Sequence, residues 1–175
     1  MKKLFMAVAL MMFSVGTVAS DRVDSVTVKI GQGEFENSDR THMVEGTIRK
    51  SFIDDVVYGV IEHRYIKDHP VISSEKDQTM VGVGYRVGDI HLESVVNEEH
   101  FKVSAMYEHR DVNDFVYSGG IWHGDMWDEN FSQTFVEIGF GKQFDAVYVG
   151  GFYEVGNTTK RSVDDLYGVT VRYSW

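Results

Sequence analysis

The chain has no cysteine and only one proline, Pro70, in a polar stretch. Without cysteine there is no disulfide framework, the usual support of a small exported domain. Stability must then come from burial and backbone pairing. With proline nearly absent, almost any segment is free to pair as a strand. Long apolar runs are also missing after Ser20. A spanning helix needs about 20 such residues, so any membrane crossing in that region must use strands. In lipid, strands satisfy their backbone only as a closed barrel. Positive charge is sparse: 17 Lys and Arg stand against 27 Asp and Glu, a formal charge of −10. Setting aside Lys2 and Lys3 lowers this to −12, which argues against nucleic acid as a partner.

The amino terminus has a different character. Met1-Lys2-Lys3 is positive, Leu4 to Val15 is apolar apart from Ser14, and Gly16 to Ser20 is mostly small residues. This is the layout of a secretory signal peptide over 1–20, with Ala19 and Ser20 as candidate cleavage positions. No cysteine stands nearby to carry a lipid anchor. Residues 21–175 are of single-domain size. The 17 glycines and 23 aromatics of the whole chain suit many short strands joined by tight bends.

Alternation with a period of two predicts ten strands. They run over Ser25–Glu34, His42–Phe52, Val56–Ile66, Gln78–Val87, Ile90–Val96, Phe101–His109, Phe115–Trp122, Thr134–Phe144, Ala146–Val155 and Leu166–Trp175. The connections alternate. Asp54-Asp55, Gly88-Asp89, Arg110 to Asp114 and Asp145 are short. Glu36 to Thr41, Lys67 to Asp77, Trp122 to Ser132 and Gly156 to Asp165 are long and polar, with Asn97 to His100 the short exception. Short turns on one rim and long loops on the other describe an antiparallel up-and-down transmembrane β-barrel, its short turns in the periplasm. Ten strands fit best. Eight is the alternative, should the fifth and sixth segments form a hairpin outside the membrane.

The second face of these strands is charged. It carries Lys29, Glu45, Arg49, Glu62, Arg64, Arg86, His91, Glu93, Lys102, Glu108, Glu137, Glu154 and Arg172. Six bases against six acids predicts a charge-balanced lumen held by ion pairs, because a buried charge left alone costs several kcal/mol. A small barrel has an interior that side chains fill. The expected lumen is therefore plugged or very narrow. The first face carries Tyr65, Tyr85, Phe101, Tyr107, Phe115, Tyr117, Phe140, Tyr153, Tyr167, Tyr173 and Trp175, many near strand ends, as interfacial girdles require.

Chemistry-bearing motifs are few. His123 and Asp125 could form an acid–base pair, but no spacing brings further carboxylates to them. Asp125, Asp128, Glu129 and Asn130 offer oxygen ligands without the spacing of a calcium loop. They read better as a solvated acidic loop. Ser132 has no histidine two residues before it. His63, His91 and His109 have no metal-ligand spacing, and His91 reads as a hydrogen-bonding lumen residue. Gly82-Val83-Gly84 and Gly139-Phe140-Gly141 lie inside strands, so they relieve crowding rather than cradle phosphate. No catalytic, cofactor or metal residue is assigned, and no cofactor is expected.

The last nine residues alternate most strictly: Tyr167, Val169, Val171, Tyr173 and Trp175 share one face. An aromatic last residue with hydrophobic residues at the third, fifth, seventh and ninth positions from the end resembles the terminal signature of outer-membrane barrels. That resemblance implies a barrel-closing strand read by the barrel-insertion machinery. With the leader and the alternating strands, the chain resembles small Gram-negative outer-membrane β-barrels of the OmpX type and the OmpA transmembrane-domain type. It departs from them in its ten strands. A weaker likeness, to narrow sugar-acid porins, is at odds with the balanced interior. The resemblance implies location in the outer membrane, contact with lipid and lipopolysaccharide, and a structural or surface-interaction role through acidic external loops. A narrow porin-like channel for small solutes is the alternative, and a barrel hydrolase the second; the expectation is no enzyme.

Overall fold

The computed structural model describes residues 23–35, 41–67, 76–126, 131–158 and 161–175. The leader read over 1–20 lies outside them. Ten strands follow in chain order: β1 (Ser25–Phe35), β2 (Thr41–Ile53), β3 (Val57–Lys67), β4 (Lys76–Val87), β5 (Ile90–Val96), β6 (His100–Arg110), β7 (Phe115–Met126), β8 (Phe131–Phe144), β9 (Val147–Thr158) and β10 (Arg161–Ser174). Each pairs antiparallel with its sequence neighbours, and β1 closes against β10 from Ser25↔Ser174 to Phe35↔Asp164. The count is ten, not eight: β5 and β6 lie in the wall between β4 and β7.

Several strands run further than alternation predicts, mostly on the long-loop side. β7 continues through His123-Gly124-Asp125-Met126, β8 starts at Phe131, and β10 starts at Arg161. Polar side chains there hide the period, but backbone pairing continues once neighbouring strands are in register. β5 has only seven residues, so the wall is lower at the β5–β6 hairpin.

The short turns form one rim, and their chemistry explains their shape. Asp54, Asp55, Asp114 and Asp145 have positive φ, as does Gly88. Aspartate tolerates that region better than most residues, and glycine enters it freely. Two central residues with φ > 0 make the primed turn whose twist suits a hairpin, which is the Asp54-Asp55 case. Neighbouring turns are also tied to one another: Gln143 N donates to Asp114 O, Arg86 N to Val56 O, and Ser174 N to Ala146 O.

The two faces are inverted relative to a soluble protein. Ile61, Val83, Ile138, Phe140 and Val169 point outward and leave 48–60% of their surface uncovered. Tyr85, Tyr107, Phe115, Tyr117, Phe140, Tyr173 and Trp175 lie on that outer face toward the short-turn rim. Tyr65, Phe101, Tyr153 and Tyr167 lie toward the other. Meanwhile Glu45, Glu62, Arg64, Glu137 and Glu154 are buried inside. An apolar surface of this extent is not stable in water. It matches the apolar band of a membrane barrel.

Candidate functional site: the charged lumen

Strand phase decides what faces the lumen. In β10, Gly168, Thr170, Arg172 and Ser174 alternate with the outward Tyr167, Val169, Val171 and Tyr173. The same phase puts Lys29 on β1, Glu45 and Arg49 on β2, Glu62 and Arg64 on β3, and Arg86 on β4 inside. His91 and Glu93 on β5, Lys102 and Glu108 on β6, Glu137 on β8 and Glu154 on β9 follow it.

Barrel curvature then pairs these charges. Lys29 Nζ donates to both carboxylate oxygens of Glu137 at 2.7 Å, from β1 to β8. Arg49 donates from Nε and Nη2 to Glu93 at 2.5 and 3.0 Å, from β2 to β5. Lys102 Nζ reaches Glu62 at 2.8 and 2.9 Å, from β6 to β3. Arg172 forks onto Glu108 with both contacts at 2.6 Å, from β10 to β6. A fifth pair, Arg64 with Glu45, joins register partners on β3 and β2. It is linked to its neighbours, since Arg64 Nε lies 3.9 Å from Glu62 and Lys102 Nζ lies 3.9 Å from Glu45. Charge-assisted, forked bonds are the strongest hydrogen bonds available to such groups, and burial makes them specific, since an unmatched partner is costly.

Two members are held differently. Glu154, 1% exposed, accepts from Trp122 Nε1 at 3.4 Å and lies 3.9 Å from Lys29 Nζ. Arg86 donates from Nε to the Gly88 carbonyl at 2.9 Å in the β4–β5 turn.

Aromatic side chains fill the spaces between the charges, and sequence reading passed them over. Tyr58, fully buried, donates its hydroxyl to Glu93 at 2.9 Å and lies 3.2 Å from His91 Nδ1. Trp122 stacks on Phe135 with centroids 4.7 Å apart, beneath Arg64 at 5.0 Å and Lys102 at 5.3 Å. Arg172 covers the Tyr148 ring and Lys29 the Phe152 ring. Cation–π contact adds to each placement. The available signal was parity: Tyr58, Phe135, Tyr148 and Phe152 share the strand phase of charged positions on their own strands, whereas β7, which carries Trp122, has no charged inward position.

Glycines make room for the rings. A Cβ on Gly84 would stand 2.2 Å from the Tyr58 ring, and one on Gly150 would stand 2.1 Å from the Tyr148 hydroxyl. Among the described residues, open space includes a central cavity of about 140 Å³ and another of about 190 Å³ at the short-turn mouth.

The other singled-out residues lie elsewhere. His123 and Asp125 are on the outer face of β7, 3.4 Å apart, with His123 Nδ1 2.7 Å from Thr134 Oγ1. No lumen carboxylate converges on them. His63 faces outward beside Asp77 at 3.2 Å, and His109 beside Asp89 at 3.2 Å. Asp128, Glu129 and Asn130 lie outside the described residues. Among the described residues, no group of three or more His, Cys, Asp and Glu is placed to hold a metal.

A closed antiparallel barrel with an apolar outer face and a charged interior defines a small β-barrel of the outer-membrane class. No protein-family model matches the chain, and no curated protein matches it. Among solved structures it is similar to a KdgM porin in complex with disordered oligogalacturonate. That match has 11% identity over 86% of this chain and 99% of the porin, with a TM-score of 0.47. It is also similar to a loop L8 deletion mutant of OmpT, an outer membrane protein of Vibrio cholerae. There the identity is 17% over 90% of this chain and 61% of the other, with a TM-score of 0.39.

Proposed function

We propose that this chain is an integral outer-membrane barrel of a Gram-negative bacterium whose lumen is closed by its own charge network. Its role is structural or surface-interacting, exercised through acidic loops on the external side. The supporting observation is that four ion pairs span the interior, joining β1 to β8, β2 to β5, β3 to β6 and β6 to β10. These groups spend their charge on each other, so a passing solute meets bonded side chains instead of free ones.

In this reading the leader is cleaved near Ser20, the closing strand from Tyr167 to Trp175 engages the insertion machinery, and the outer face contacts lipid and lipopolysaccharide. Glu36, Asp39, Asp68, Glu98, Glu99, Asp128 and Glu129 make the loop side acidic in sequence. Such loops meet lipopolysaccharide phosphates through divalent cations.

Recording from a planar bilayer tests the closed lumen. The expected trace shows no steady openings above leak. Steady, ion-selective openings would instead establish the second reading, a narrow channel for small solutes, which the cavities of about 140 and 190 Å³ favour. Fractionation tests the compartment: recovery in the soluble periplasm would defeat the membrane assignment.

A further inference from the structure

His123, Thr134 and Asn157 form one outward row across three neighbouring strands. Thr134 on β8 is the register partner of His123 on β7 and of Asn157 on β9. One row nearer the short turns, Ile121, Val136 and Val155 are partners in the same way. Ile121 and Val136 each leave 48% of their surface uncovered. The polar row therefore stands where the apolar band ends on the long-loop side. Ester groups of membrane lipids lie at that level, between the hydrocarbon and the headgroups.

The imidazole in this row is held on three sides. His123 Nδ1 is 2.7 Å from Thr134 Oγ1, and an Asp125 carboxylate oxygen is 3.4 Å from Nε2. The Phe101 ring meets the imidazole edge-on, with centroids 6.2 Å apart. The carboxylate favours the proton on Nε2, which leaves the Nδ1 lone pair to accept from the Thr134 hydroxyl. A hydroxyl, a base within hydrogen-bond reach and a third group orienting that base make the arrangement that activates a nucleophile. The side chains of His123 and Asp125 are 40% and 37% exposed, so a lipid against the wall can reach them. Strands β3 and β4 repeat part of this: His63 Nδ1 is 2.9 Å from Thr79 Oγ1, and Nε2 is 3.2 Å from Asp77. There β5 ends at Val96, opposite Val81, so no third strand extends the row from Thr79.

We infer that the outer face of β7–β9 is a hydrolase site for acyl esters of membrane lipids, with Thr134 as nucleophile and His123 as its base. Asp125 is a positioning residue, and Asn157 supplies an amide donor for the developing oxyanion. Thr134 Oγ attacks the acyl carbonyl while His123 Nδ1 takes its proton. The bond from the acyl carbon to the lipid oxygen breaks, and the proton passes to the departing alkoxide. Water then attacks the Thr134 ester with His123 again as base. Fatty acid leaves, and the proton returns to Thr134 Oγ. Ester and water are consumed, and alcohol and fatty acid are formed. This activity goes beyond the structural role proposed above and shares with it only an outer face set in lipid.

The test uses the full chain in detergent micelles containing either phosphatidylethanolamine or lipopolysaccharide, so it does not depend on the compartment. Fatty acid release is expected from at least one, and the lipid that yields it identifies the source. Thr134→Val should abolish release, and Thr134→Ser should keep it. His123→Gln should slow it about 10²–10⁴-fold, the range for a general base. Asp125→Asn should lower kcat with KM held, and Asp125→Glu should recover part of the loss. His63→Gln should leave the rate unchanged. Heat-dependent gel mobility checks that each variant folds. A fluorophosphonate probe should attach to Thr134 of the unaltered chain, a measurement that needs no variant. No release from either lipid would overturn the proposal, as would release surviving Thr134→Val or labelling confined to other residues. Conductance reads the closed lumen separately, so either claim can fail without the other.

Discussion

Arg172 on the last strand grips Glu108 on β6 with two parallel bonds of 2.6 Å, the arginine 19% and the glutamate 29% exposed. The strand that closes the wall against β1 thus also braces the interior, through a residue pointing away from the lipid. Removing one partner strands a charge in the lumen. Glu108→Gln and Arg172→Met are each expected to destabilise the barrel by roughly 3 kcal/mol, the lower end for a broken buried pair. The swap Glu108→Arg with Arg172→Glu should recover part of this. Urea unfolding of the refolded barrel in liposomes, followed by gel mobility, gives the comparison.

The Arg64–Glu45 and Lys102–Glu62 pairs act as one network, since each base also lies 3.9 Å from the other pair's acid. A double-mutant cycle on Arg64→Met and Lys102→Met should therefore be non-additive by about 0.5–3 kcal/mol, as for residues in a shared ion-pair network. Additive losses would show two independent pairs.

Gly84→Ala would push a methyl into the Tyr58 ring. The ring must shift, and its bond to Glu93 is lost with it. A cost of about 1–3 kcal/mol is expected, the range for overpacking. Tyr58→Phe, which loses the hydroxyl alone, should cost about 1 kcal/mol. Unfolding midpoints of the two variants decide the order.

Arg49→Ala combined with Glu93→Ala removes a pair that spans the lumen and leaves no lone charge from it. Bilayer conductance should rise from leak to measurable openings in the double variant. The outward change Val83→Ala, which touches no lumen group, should leave conductance at leak.

Trp122 is buried inside against Phe135, whereas Trp175 stacks on the outward Tyr173 with centroids 6.1 Å apart. In variants keeping one tryptophan each, lipids brominated near the headgroup should quench Trp175 strongly and Trp122 weakly. Equal quenching would mean that the faces are assigned wrongly.

The barrel is largely legible in the amino-acid sequence. Alternation locates the strands because residues two apart share a face whatever the partner strand is. Legibility fails where both faces carry the same chemistry. His123-Gly124-Asp125 has no apolar phase, so β7 reads four residues short of Met126. Tyr58, Trp122, Phe135, Tyr148 and Phe152 escape notice because an aromatic in a strand reads first as lipid-facing. For all but Trp122, parity with Glu62, Glu137 and Glu154 on the same strands was the clue.

The amino-acid sequence by itself determines strand phase, the short and long rims, and the set of charged residues that share the inner face. These are properties of one strand or one hairpin. Only the tertiary structure decides which charge meets which. Lys29 and Glu137 lie 108 residues apart, Arg172 and Glu108 lie 64 apart, and neither pair is on neighbouring strands. Their meeting depends on strand number, register and closure radius together, since a change in any one carries the side chains past each other inside the lumen. The closed interior is for that reason a property of the whole barrel, although every group that closes it is visible in the sequence.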